Sequence, residues 1–146
     1  MKKVGKNCAY IDGSYNPRTE TYGCGGFLVD HFGKKHIIQA NGNDSKMCKM
    51  RNVAGEILGA KEAVRIAQKL KMKNLTIYYD YKGIESWITG RWKTNKKETK
   101  EYVDYMLKAM NAGLNIYFKH IKGHSGNEGN EIADQLAKLA VGLFIK

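Results

Sequence analysis

Four acidic residues stand where an ordinary surface acid would not. Asp12 ends the apolar run "NCAYID" (7–12) and is followed by Gly13; Asp80 ends "LTIYYD" (75–80) in the same way. Glu56 falls one turn into a helical pattern, in "NVAGEILGA", with no basic neighbour until Lys61, and Asp134 sits in "NEIADQLAK" beside an apolar stripe. Aspartate is depleted in strands, and in open α/β sheets the strand ends are where ligand sites are built. Gathered carboxylates raise one another's pKa unless a hard cation neutralises them. Mg2+ takes oxygen ligands, keeps waters, and is held by a few carboxylates together with substrate phosphate. Two such ions about 3.5–4 Å apart activate a water and stabilise the leaving oxygen of a phosphodiester. These four residues therefore predict a metal-assisted hydrolytic site, provided that the fold brings them together.

The elements that must position them can be read from periodicity. Strand-like runs at 7–12, 22–30 and 34–42, separated by glycine and polar clusters, predict an antiparallel meander. Ile57, Ala60, Val64 and Ala67 lie on one helix face, and 75–80 reads as a buried strand. A short helix carries Ile84, Trp87 and Ile88 and is ended by Gly90. Asn95 and Glu98 have capping-box spacing before a helix with Tyr102, Met106 and Ala109 inward and Gly113 as its stop. A last strand at 115–121 leads through the turn-rich loop "KGHSGNEGN", which carries His124, into a helix with Ile132, Leu136, Leu139 and Leu143 on one stripe. The order β-β-β-α-β-α-α-β-α predicts an α/β fold, a mixed sheet flanked by helices, in a single domain spanning 1–146.

Composition fits this chemistry. The chain has 146 residues with 25 Lys plus Arg against 14 Asp plus Glu, a formal charge of +11 that points to a polyanion. A membrane surface would explain the charge but not a metal site, and no apolar run approaches the roughly 18 residues of a span. The basic amino terminus lacks the apolar stretch of a signal peptide. Cys8, Cys24 and Cys48 are odd in number with no C-x-x-C spacing, which argues for a reducing, cytoplasmic compartment and for small apolar residues in or near strands. A basic exterior around an acidic centre is what a nuclease requires: lysine and arginine to hold the backbone, metals to cut it.

"YIDGSYN", "AGEILGA", "IYYDYKGI" and "KGHSGNEGNEIADQLAK" resemble, in that order, the four catalytic segments of ribonuclease H type 1, over about residues 7 to 141. The resemblance implies a ribonuclease H-like fold with a five-stranded mixed sheet and hydrolysis of the RNA strand of an RNA–DNA hybrid, leaving 5′-phosphate and 3′-hydroxyl ends. It implies two Mg2+ ions, with Mn2+ as a substitute: Asp12 bridging both, Glu56 and Asp80 completing one site, Asp134 the other. His124 matches the family histidine that assists proton movement or product departure. Gly13 and Ser14 would let the backbone approach the RNA strand, and Asn52 would contact the minor groove. Val53 replaces a polar residue common in relatives. Arg51 takes the place of a threonine in a DNA-phosphate pocket, with Lys49 beside it. Tyr81-Lys82 replaces the usual Ser-Gln after the third carboxylate. The short chain between Trp87 and Trp92 resembles bacterial members without the basic protrusion, and Arg91, Lys93, Lys96, Lys97 and Lys100 would supply part of that grip. The resemblance further implies a monomer, either free-standing or attached to an N-terminal hybrid-binding or other fused domain.

Two other readings compete. A proofreading exonuclease, resolvase or transposase-like nuclease would share the fold, although the first-strand Asp-x-Glu of the exonucleases is absent from Asp12-Gly13-Ser14. A non-catalytic nucleic-acid-binding module would be marked by a missing carboxylate, and all four are present.

Overall fold

A computed structural model describes residues 5–122 and 126–143. Strands β1 (Cys8–Asn16), β2 (Thr21–Val29) and β3 (Lys35–Gly42) form the expected antiparallel meander. β4 (Asn74–Tyr79) adds parallel to β1, and β5 (Asn115–His120) adds parallel to β4, giving the order β3-β2-β1-β4-β5. The sheet is thus five-stranded and mixed. Helices α1 (Ser45–Cys48) and α2 (Asn52–Lys69) lie between β3 and β4, α3 (Gly83–Ser86) and α4 (Lys97–Asn111) between β4 and β5, and α5 (Glu128–Ala140) follows β5. No further helix stands between α3 and α4, as the short spacing at 87–92 requires.

Strand alternation sorts the two faces. Ala9 and Ile11 of β1 enter the main core with Ile57, Ala60 and Val64 of α2 and Tyr102 and Met106 of α4, all buried as expected. Cys8 and Tyr10 point the other way, packing with Phe27, Tyr78 and Ile132 of α5. Cys8 and Cys24 are buried in strands and Cys48 is half-buried in α1; all three are free thiols.

Four local expectations are corrected. β1 does not end at Asp12 but runs on through Asn16, with Gly13 and Ser14 paired to Cys24 and Gly23. The glycine serves a different purpose: a Cβ at Gly13 would stand 2.4 Å from both the Asn52 carbonyl and the Glu56 amide, so its absence lets α2 lie backbone to backbone on β1. The one-turn helix α1 was not anticipated; Asp44 caps it by accepting from the Lys46 and Met47 amides at 3.0 Å. α4 begins at Lys97 with Lys96 as its cap and no side-chain capping bond, which places Asn95 outside the box. The inward face of α5 is Ala133 and Ala137, while Ile132 and Leu136 are half-buried and Leu139 is exposed. The cause lies on β2: a Cβ at Gly25 would meet the Ala137 amide at 2.0 Å, so the helix sits too close for large side chains. Trp87 is half-buried and packs against the main core, its ring edge-on to those of Trp92 and Tyr102.

Candidate metal centre and nucleic-acid interface

Three of the four carboxylates converge. Asp12 lies mid-strand in β1, Glu56 on the second turn of α2, and Asp80 one residue beyond β4; oxygen atoms from all three lie within 4.8 Å of one another. The adjacency of β1 and β4 brings the two aspartates together, and the close α2–β1 contact at Gly13 delivers the glutamate. Asp12 and Glu56 are buried and Asp80 half-buried. Asp134 stands outside this group. Its Oδ2 accepts from Lys138 Nζ one helical turn on, at 3.0 Å, with both side chains partly exposed.

The cluster is short of donors. The Gly13 amide donates to Asp12 Oδ1 and to Glu56 Oε1, each at 2.9 Å, so one N–H serves two carboxylates. Glu56 Oε2 is buried and has no hydrogen-bond partner among the described residues. Burial above all pushes the Asp12 carboxyl up to about 6; Asp80 and Asp134 add to the rise, while Glu56 and the Gly13 amide oppose it. Burial also drives Glu56 well above the usual carboxylate range, followed by its contact with Asp12 and the negative charges of Asp12 and Asp80. A buried, unpartnered carboxylate oxygen facing two further carboxylates fits a hard divalent cation, which prefers oxygen donors and would compensate their charge. Among the described residues, this group of ligating side chains is made of carboxylates alone.

The other expected residues that the structure describes lie on β1 and at the approach to α2. Gly13 and Ser14 are half-buried in β1, and Lys49, Arg51 and Asn52 are exposed at the approach to α2. Arg51 holds a left-handed backbone (φ 54°), with its guanidinium 5.1 Å from the centre of the Tyr15 ring. A non-glycine residue there is strained, and such strain gathers at functional sites. His124 lies outside the described residues. The sequence reading missed a cleft of about 360 Å3 beside the centre, where Lys49, Val53, Tyr81, Trp87, Lys93 and Lys96 contribute to the walls. Its signal was available in the mixture of aromatic and basic residues just after Asp80. Arg91, Lys93, Lys96, Lys97 and Lys100 are all exposed. Also missed was His120, whose Nε2 lies 2.8 Å from the Asp80 carbonyl oxygen.

Comparisons with known proteins agree with this geometry. A family model described as RNase H matches residues 5–142. The ribonuclease H of Francisella tularensis subsp. novicida (strain U112) is 33% identical over 157 aligned positions, covering 99% of this chain and 97% of its own. The crystal structure of RNase H1 from Halobacterium salinarum NRC-1 superposes with a TM-score of 0.75 at 20% identity, over 94% of this chain and 98% of that one. LC11-RNase H1, isolated from compost and crystallised in complex with an RNA/DNA hybrid, gives 0.70 at 18% identity, over 92% and 99%. No helix among the described residues is long and apolar enough to cross a membrane.

Proposed function

This chain belongs to the ribonuclease H family of enzymes, and on that premise we propose that it hydrolyses the RNA strand of RNA–DNA hybrids with two divalent cations, leaving 5′-phosphate and 3′-hydroxyl ends. The observation that carries this reading is the meeting of Asp12, Glu56 and Asp80 around a buried, unpartnered glutamate oxygen. When bound, Mg2+, or Mn2+ in its place, supplies an activated water and neutralises charge developing on the leaving oxygen. Asp12, Glu56 and Asp80 would hold one ion, and Asp12 with Asp134 the other, once Asp134 exchanges Lys138 for it. His124 moves a proton or assists product departure, a task suited to a histidine. Gly13, Ser14 and Asn52 face the RNA strand and minor groove, where 2′-hydroxyls separate RNA from DNA. Lys49 and Arg51 hold phosphate. The 1–146 chain acts as one catalytic domain, as a monomer, and its free thiols suit the reducing cytoplasm.

The test is a labelled RNA–DNA hybrid incubated with millimolar Mg2+ and either the parent or Asp80→Asn, with duplex DNA and single strands in parallel. The parent is expected to cut the RNA strand of the hybrid alone, and the variant to cut it about a hundredfold more slowly or less. Equal cleavage by both would overturn the site. Preference for duplex DNA would move the chain to another nuclease class, and tight, salt-sensitive hybrid binding without turnover would make it a binding module.

A further inference from the structure

His120 closes β5 at the pair Tyr79–His120, the last rung between β4 and β5. Asp80 lies one residue beyond that rung. Its backbone carbonyl accepts a hydrogen bond from His120 Nε2 at 2.8 Å. A carbonyl oxygen can only accept, so Nε2 is the protonated nitrogen of this imidazole. The ring also lies edge-on to Tyr79, with centroids 5.6 Å apart and planes at 62°. Tyr79 is itself fixed at its far end, its hydroxyl donating to Glu85 Oε1 at 2.5 Å. The Ile121 amide, next to His120, donates to the Tyr79 carbonyl at 2.7 Å. The Asp80 peptide is therefore clamped from β5 just where regular pairing ends, and the clamping group is an exposed histidine rather than a packed apolar side chain.

We propose that His120 is a positioning residue: by donating to the Asp80 carbonyl it sets the Asp80 peptide so that the carboxylate meets Asp12 and Glu56 in a cation-ready arrangement. The inference rests on the reading of Asp80 as a cation ligand. Groups outside the ligand shell that orient its members affect metal affinity by about 10- to 100-fold. His120 acts on the peptide rather than on the ligating oxygen, which places its effect at the lower end.

The discriminating substitutions are His120→Phe, which keeps a ring against Tyr79 but loses the donor, and His120→Gln, which keeps an N–H donor without the ring. Mn2+ alone is titrated calorimetrically into each protein without nucleic acid, and melting temperature is recorded with and without the ion. His120→Phe is expected to bind Mn2+ about tenfold more weakly while melting close to the parent in the absence of metal, and His120→Gln to bind within about twofold of the parent. A parent that binds Mn2+ with His120→Phe unchanged overturns the positioning role. So does a glutamine variant as weak as the phenylalanine one, because an N–H donor at this position would then restore nothing. A parent that binds no Mn2+ overturns the cation site as well, so the two failures are separable. Should the phenylalanine variant melt too low to titrate, His120→Ala against His120→Gln isolates the donor, since both lack the ring.

Discussion

The raised pKa values of the acidic centre make a stability prediction that requires no substrate. Asp12 titrates near 6 in the fold against an ordinary 3.8. At about 1.36 kcal/mol per unit, ionising it at neutral pH costs the metal-free fold about 3 kcal/mol. Between about pH 4 and 6 the folded chain binds more protons at this group than the unfolded chain does, so stability must rise as pH falls through that window. Lowering the pH from 7 to 5 recovers about 1 kcal/mol through Asp12 alone, equivalent to about 3 °C in melting temperature for a domain of this size. Glu56, raised in the same direction, adds to the gain. The measurement is thermal unfolding in EDTA at both pH values, for the parent and for the isosteric double variant Asp12→Asn, Glu56→Gln. The parent should melt higher at pH 5, whereas the double variant should show little rise and should exceed the parent at pH 7. Millimolar Mg2+ should stabilise the parent more at pH 7 than at pH 5, because cation and proton compete for the same oxygens. A parent that melts lower at pH 5 in EDTA, or a double variant with an undiminished rise, would refute the account of a strained acidic cluster.

Three further outcomes follow from particular contacts. Gly13→Ala pushes a methyl group into the Asn52 carbonyl and Glu56 amide, main-chain atoms that cannot step aside; it should destabilise by about 3 kcal/mol in urea unfolding and separate Glu56 from Asp12. Asp30 accepts from His36 and from the Phe32 and Lys34 amides, and the His36 bond leads in lowering it to about 2. Its contribution is present above the ordinary aspartate range and disappears as pH falls through the folded value, so Asp30→Asn should flatten the acid limb of the stability curve below about pH 4. Arg51→Ala should weaken hybrid binding and lower the slope of log affinity against log salt by about one, as expected when one phosphate contact is lost.

The acidic centre was legible because its residues sit in locally improbable places, and local patterns are what a sequence displays. The errors have a common origin in the partner that an element meets. Gly13-Ser14 has the look of a strand terminator, but Gly13 is there because α2 crosses at backbone distance, and nothing within β1 announces that crossing. The large residues of α5 mark a plausible inward stripe, yet Gly25 on β2 admits only Ala137 at the contact, so the apolar bulk turns outward. α1 is a single turn, too short for periodicity to register. His120 carried no signal at all, since its partner is a main-chain carbonyl 40 residues away.

Asp134 and Glu56 hold their carboxylates in two different ways. Asp134 is partly exposed and already paired, and a pair of that kind is worth no more than about 1 kcal/mol, so an arriving cation displaces Lys138 at little cost. Glu56 has no such placeholder for Oε2, and an unsatisfied buried oxygen costs about 1–3 kcal/mol. The same helix offsets this. Ile57, Ala60, Val64 and Ala67 are essentially fully buried, and a buried Ile or Val contributes about 1.5–3 kcal/mol. Gly55 and Gly59 on that helix allow it to sit against Gly23, Cys24 and Ile11, so the glutamate is carried into the interior by packing rather than drawn there by a charge partner. Shortening that apolar face should therefore loosen Glu56 before it touches Asp134, and cation affinity at the Asp12–Glu56–Asp80 group should track the packing of α2 while the Asp134–Lys138 pair stays indifferent to it.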